Sequence, residues 1–575
     1  MTLFPNTKAC AAIGLFFSTV IGTRVDEKPP LSLNVVAHSQ GGDRDSYQWQ
    51  HQCPQVGSLV PQTNDRLSTM DEFLASREFL EESALRMSHA IRINTTSTDE
   101  MRSLLGDDHA WDHMTAFHKY LEKTFPLIHK KLKLKRVNKH GLVYTWQGTD
   151  TSLKPVVLVA HQDVVPVKMD TEDWKYPPFE GHWDGSYVWG RGSTDCKNTL
   201  IASLEAVEEL LGAKFIPKRT VILSFGFDEE ISGTQGAKTI VADLLGAYGE
   251  KGMAVVIDEG PGIMRSWSGS VAAFPAVSEK GYLDVEISVN MQAGHSSLPP
   301  PDNSITVMAE IVSLLHSRQH GISLDKDNPV SQTIFCAAQN DINMEDQDWS
   351  AVVLADQGKV ALTELAAKIV KDHPEIAGFF STTQSIGVIH GGWKVNVVPG
   401  NTKILINHRI IPGSSVKDVK AHIEKIVREY AKGNYPNGRS IVVNAWNEDL
   451  VQANQSITLK ARPGAIEPSS VSPFSVDRVT PYGVLQGTTY AQYGSNLSFM
   501  APLLMPANTD SRHYRQLSDH IFRFNPSKDM NDPTDDVSGF HGAHRVNERV
   551  NMLGHVHAVQ WYSLFLRNMD NASIA

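Results

Sequence analysis

The sequence predicts an α/β protein: a mostly parallel sheet flanked by helices, interrupted by a smaller inserted α+β domain. Three observations predict it. Short apolar runs without alternation are separated by helical segments, as buried parallel strands are. After Ser278 the runs begin to alternate apolar and polar, as strands with one exposed face do. Acids or a histidine stand at the end of several of the apolar runs.

Val156–Ala160 is apolar and runs into His161. Asn198–Leu211 has helical periodicity and stops at Gly212. Thr220–Phe227 is rich in β-formers and leads to Glu229 and Glu230, and Ala254–Ile257 leads to Asp258. Leu283–Met291 alternates, Ser304–Leu315 reads as a helix, and Ile386–Val398 and Lys403–Ile411 read as strands. Val416–Tyr430 reads as a helix and Ser440–Trp446 as a strand. That β-α-β-β-α-β order is ferredoxin-like. Asp341–His373 is an additional, mostly helical insertion. Upstream, Asp71–Thr95 and Trp111–Phe125 are helical, and the chain ends in a helix over Met552–Leu566. The domain plan is therefore a targeting segment over 1–25, a linker or extension over 26–84, and a first part of the main domain over 85–278. The inserted domain spans 279–450, and the main domain resumes over 451–575.

A hydrophobic content of 41% and a charged content of 20% suit a sizeable core. The net charge of −11, with no basic run interleaved with aromatics, excludes nucleic acid as a partner. Lys8 precedes an apolar stretch from Ala9 to Gly22, shorter than the roughly 20 residues a spanning helix needs. It reads as a signal peptide or signal anchor, which sends the chain into the secretory-pathway lumen. Sequons at Asn94, Asn454, Asn496 and Asn571 agree with that address. Cys10 lies in the targeting segment. Cys53, Cys196 and Cys336 form no disulfide framework but allow one bridge.

Four segments carry chemistry: His161-Gln162-Asp163, Gly192-Ser193-Thr194-Asp195, Asp228-Glu229-Glu230 and Asp258-Glu259-Gly260. Singly, Asp195 could cap a helix and Glu229-Glu230 could be a solvated loop. In open α/β sheets, however, ligands bind beyond the carboxyl ends of the strands, so these side chains converge on one crevice. Converging carboxylates repel unless cations neutralise them. Mixed histidine and carboxylate donors suit zinc.

Val157–Val167, Trp189–Leu200, Phe227–Gly233 and His544–Val550 together resemble the dinuclear-zinc superfamily of aminoacylases, succinyl-diaminopimelate desuccinylases and carboxypeptidases. Asp195–Asn198 and Asn508–Asp510 favour its fungal carboxypeptidase S (Gly-X carboxypeptidase) branch. The resemblance implies a zinc-peptidase catalytic domain with the inserted domain as a lid. It implies two Zn²⁺ per subunit, with Asp195 bridging, His161 and Asp258 completing one site, and Glu230 and His544 the other; His541 is the alternative to His544. It makes Glu229 the general base, Asp163 the carboxylate that orients His161, and Asp195–Cys196 a cis peptide. It makes His295 and Asn396 the groups that polarise the scissile carbonyl. Arg409, with Asn508 and Thr509, grips the substrate carboxylate. The implied substrates are short peptides or N-acyl amino acids with a free carboxylate. The implied location is the vacuole, membrane-anchored or released, and a homodimer through the lid is compatible with it. The loop Pro506-Ala507-Asn508-Thr509-Asp510 departs from the glycine-rich loop of relatives, so the shape of the carboxylate pocket does not carry over from the resemblance.

Overall fold

The structure, a computed structural model, describes residues 44, 47–103, 109–168, 173–341, 343–433, 441–446, 453, 455–476, 480–532 and 542–574. The targeting segment, the sequon at Asn454 and the alternative ligand His541 lie outside these residues.

Among the described residues the main sheet has ten strands. At its centre Val221–Gly226, Val156–His161, Val255–Arg265 and Ile521–Asn525 lie side by side and parallel. Every residue of Val156–His161 and Val221–Gly226 is buried, because both faces are covered. Leu158 and Ala160 pack with the helices Lys197–Gly212 and Met552–Asn571. Val157 and Val159 face Ile240, Val241 and Leu244 of the helix Ala237–Tyr248. Parallel strands covered on both faces lose polar alternation, which is why these segments read as continuous apolar runs.

Among the described residues the lid is a five-stranded sheet with Gly281–Asn290 at its centre, antiparallel to Asn401–Ile410 and to Ser456–Ala461. The helices Ser304–Ser317 and Val416–Gly433 cover one face through Val307, Met308, Ile311, Ile423 and Val427. The predicted lid ends too early. Ser456–Ala461 belongs to its sheet, with Ile457 and Leu459 buried against the same core, so the boundary at 450 moves past 461. The chain crosses between domains twice, at Glu279–Gly281 and near Ile466–Ser469. The crossings are tied by Tyr282 N–H to Ile466 O at 2.8 Å and Ser469 N–H to Glu279 O at 2.9 Å.

The linker over 26–84 is also corrected. From residue 49 the chain is packed, and Asp65–Leu74 and Arg77–Arg92 are helices, each capped by its preceding residue, Asn64 or Ser76. Between residues 50 and 59 the attachment is polar, which leaves no apolar period to read. Val56 N–H donates to Gln486 Oε1 at 2.7 Å and Leu59 N–H to Gly487 O at 2.8 Å. Asp356 accepts from the N–H groups of Gln50 and His51. Cys53 is disulfide-bonded to Cys336. The helical insertion begins earlier than predicted, as Val330–Asn340, Asp346–Asp356 and Leu362–Asp372. It packs against Phe274, Phe499 and Leu504 of the main domain. Among the described residues no helix is long and apolar enough to cross a membrane.

Candidate metal centre

His161 closes a buried strand and is itself 1% exposed. Its Nε2 lies 3.0 Å from Asp195 Oδ1 and 3.4 Å from Glu259 Oε1. Its Nδ1 lies 2.9 Å from the Asp163 carbonyl and 3.3 Å from Asp163 Oδ1, which fixes the ring. Asp195 turns its second oxygen to His544, with Oδ2 3.2 Å from Nε2, and that same Nε2 lies 3.1 Å from Glu230 Oε2. One carboxylate thus faces a histidine on each side. The Asp195–Cys196 peptide is cis, as expected. The turn before it is held by Glu548, whose Oε1 accepts from the N–H groups of Thr194 and Asp195 while Oε2 pairs with Arg191 at 2.7 Å. Asp163 does more than face His161. It accepts from Glu229 N–H at 3.0 Å and Glu230 N–H at 3.2 Å, and so fixes both glutamates.

Asp258 is placed differently from the ligand role expected for it. Its carboxylate accepts from Ser511 N–H at 2.8 Å and Glu259 N–H at 2.9 Å, and is 2% exposed. The neighbouring Glu259 faces the cluster instead. The donor atoms of His161, Asp195 and Glu230 lie within 4.8 Å of one another, and so do those of His161, Cys196 and Glu259. Adjacent acids at a strand end are hard to assign from sequence, because the local bend decides which one reaches the crevice.

The electrostatics are those of a site built for cations. Burial pushes the Glu229 carboxyl up to about 7 and Glu230 to about 8, and holds Glu259 well above the usual carboxylate range. Burial also acts to raise Asp195, but hydrogen bonds from His161 and His544 outweigh it and hold the group low. His544 is raised to about 11 by its hydrogen bonds to Asp195 and Glu230. Two histidines and three carboxylates in one crevice fit a borderline divalent cation by donor chemistry.

A cavity of about 280 Å³ opens over the cluster, lined by Asp195, Glu229, Glu230, Glu259, Asn508, Thr509 and His544, among others. Arg409, on the lid strand Asn401–Ile410, adjoins it through Asn508. Arg409 Nη1 donates to Asn508 Oδ1 at 3.0 Å and Nε to Asn407 Oδ1 at 3.2 Å, with the guanidinium 4.9 Å over the Tyr282 ring. Asn508 Nδ2 also donates to the crossing at Lys280 O, at 2.7 Å. Thr509 is 1% exposed and donates through its N–H and hydroxyl to Glu279, so it braces the loop. His295, on the short ribbon of Gly294–His295 with Val397–Val398, and Asn396, just before its second strand, are both exposed. Neither lines the cavity. Sequence reasoning placed Glu259 in a chemistry-bearing segment without a role, and it missed Arg512, whose Nη2 lies 3.2 Å from Glu229 Oε1. No spacing rule announces either.

The profile of Peptidase family M20/M25/M40 matches residues 157–568. The chain belongs to that family. It is 34% identical to carboxypeptidase S of Saccharomyces cerevisiae over 574 residues, 98% of this chain and 95% of the relative. It is 32% identical to the N-fatty-acyl-amino acid synthase/hydrolase of Mus musculus over 462 residues, 80% of this chain and 83% of the relative. In fold it is similar to human carnosine dipeptidase 1, with a TM-score of 0.56 at 12% identity, covering 89% of this chain and 99% of that one. It is also similar to an M20 family metallo-carboxypeptidase from Sulfolobus solfataricus, with a TM-score of 0.53 at 16% identity, covering 88% of this chain and 100% of that one. The chain is a metallo-exopeptidase of this family, of the carboxypeptidase kind.

Proposed function

We propose that this carboxypeptidase removes the C-terminal residue of short peptides, Gly-X dipeptides among them, and that it binds two zinc ions per subunit. The observation that carries the reading is Asp195 facing His161 through one oxygen and His544 through the other, with Glu230 and Glu259 alongside. Asp195 would bridge the ions, His161 and Glu259 would complete one site, and Glu230 and His544 the other. Bound there, the ions supply an acidified water and a Lewis-acid contact for the scissile carbonyl. Glu229, whose carboxylate meets Arg512, would take a proton from the attacking water and return it to the departing amine. Asp163 keeps the His161 ring and both glutamates in register.

Arg409 holds the C-terminal carboxylate. Among the described residues its hydrogen-bond acceptors are the neutral amide oxygens of Asn407 and Asn508. Burial weighs against its charge, and a carboxylate is the partner that a guanidinium fork suits. His295 and Asn396 act on the carbonyl when the lid closes, or from the lid of a second copy in a homodimer. The targeting segment and the Cys53–Cys336 disulfide support a life in the secretory-pathway lumen, the vacuole in particular, anchored or released.

A second reading, hydrolysis of N-acyl amino acids, is favoured by the likeness to the mouse N-fatty-acyl-amino acid synthase/hydrolase. The test is a panel of dipeptides, their C-terminal amides and N-acyl amino acids, assayed with zinc-loaded and chelator-treated protein. Fastest turnover of free-acid dipeptides, abolished by chelator and restored by zinc, is expected. Faster turnover of N-acyl amino acids would move the assignment to the second reading.

A further inference from the structure

We propose that Arg512 is a positioning residue for Glu229, holding the carboxylate of the base at a fixed angle and balancing its charge. This rests on the reading of Glu229 as the base. Both side chains are nearly buried, at 10% and 11% exposure, and meet at 3.2 Å. Arg512 Nη2 also reaches the Glu229 carbonyl, at 3.5 Å. Among the described residues Arg512 is the hydrogen-bond donor that the Glu229 carboxylate meets. A glutamate without such a partner would sample several rotamers, and a displacement of about 1 Å from the reacting atoms costs on the order of a hundredfold in rate.

The turn that carries Arg512 is itself held. Thr509 accepts from Ser511 N–H and caps the turn that carries Arg512, while Thr509 is bonded to Glu279 and Ser511 to Asp258. Asp258 therefore serves the base at one remove, through Ser511 and Arg512, while its neighbour Glu259 faces the cluster. Arg512 also differs from Arg409 in its partners. Among the described residues the hydrogen-bond acceptors of Arg409 are amide oxygens, whereas Arg512 already has a carboxylate at hydrogen-bond distance. The first is arranged to receive an anion from outside, the second to hold one within.

The test uses the zinc-loaded enzyme with Arg512→Ala, Arg512→Lys and Glu229→Gln, alone and combined. For Arg512→Ala the expected result is a fall in kcat of about a hundredfold, with KM within threefold of the parent and zinc content unchanged. The fall should be equal for a dipeptide and its C-terminal amide. Arg512→Lys should lie between, and added guanidine should restore part of the Arg512→Ala rate. In the Glu229→Gln background, where turnover is already at background, Arg512→Ala should leave the zinc content unchanged. An unchanged kcat would overturn the inference. So would a rise in KM confined to the free acid, which would make Arg512 a substrate grip. If Arg512→Ala does not fold, an unchanged kcat for Arg512→Lys overturns it alone. If Glu229→Gln itself keeps turnover, the reading of the base has failed instead, and the two failures are distinct.

Discussion

Replacing Arg409 by alanine and amidating the substrate C-terminus should remove the same interaction. Arg409 stands on the lid strand, its guanidinium stacked on Tyr282 and donating to two side-chain amides. Those acceptors are neutral amide oxygens. A hydrogen bond involving a charged group is worth roughly 1.5–3 kcal/mol, so either change should lower kcat/KM by about ten- to a hundredfold or more. Because both changes delete one contact, the double change should cost little beyond either alone. Four measurements of kcat/KM, two proteins on two substrates, close the cycle. Multiplicative losses, with Arg409→Ala equally harmful on acid and amide, would mean that Arg409 supports the lid and does not touch the carboxylate. Comparable cleavage of acid and amide by the unchanged enzyme would refute the reasoning outright.

Glu229→Gln should abolish turnover with two zinc ions still bound, whereas Glu230→Gln should weaken metal binding; elemental analysis separates them, and the reverse result would exchange their roles. Glu259→Gln should lose one metal equivalent, while Asp258→Asn should keep both and slow turnover by loosening the turn at Ser511; equal metal loss from both would return Asp258 to the ligand set. His408 is fully buried in the lid, and burial lowers it to about 4. Its folded value lies below the ordinary 6.5, so its contribution is present above pH 6.5 and is lost as pH falls towards 4, up to about 3 kcal/mol. His408→Gln should flatten Tm against pH in that window, and an unaltered slope would clear this histidine of the effect. Cys53→Ser should destabilise the fold by roughly 2–5 kcal/mol without changing kcat at low temperature, since the bridge ties residue 53 to the helical insertion and, among the described residues, packs in a cluster without site residues.

Much of the fold was legible because burial on two faces writes itself into sequence. Val156–His161 and Val221–Gly226 could be read as central strands from composition alone, and the alternation of Leu283, Val285, Ile287 and Val289 placed a lid strand correctly. What could not be read was held by polar or covalent contacts. Residues 50–59 are fixed by Gln486, Gly487, Asp356 and Cys336, all more than 280 positions away. No local period records such partners. The lid strand Ser456–Ala461 was missed for another reason. It follows a strand, Val442–Ala445, that completes the expected order, and its parallel pairing with that strand needs a connection the pattern did not foresee.

The misplacement of Asp258 shows what the candidate site asks of its strand ends. At each of two such ends the sequence supplies adjacent acids, and the structure divides them by depth. Asp228 is buried and accepts from Gln235 N–H and Gly236 N–H, both at 2.7 Å, leaving Glu229 and Glu230 to face the crevice. Asp258 is buried and accepts from Ser511 N–H and Glu259 N–H, leaving Glu259 to face it. In both cases the shorter acid stays behind and ties backbone N–H groups, because a single methylene keeps its oxygens beside the main chain. The longer acid has the reach to meet a ligand in front. A carboxylate satisfied by two backbone donors has little to offer a cation, and one without them needs it. That division follows from side-chain length and donor supply at the turn. It makes Asp228 a brace for the same reason as Asp258, so Asp228→Asn should disturb the placement of Glu229 and Glu230 together while removing no metal-facing group.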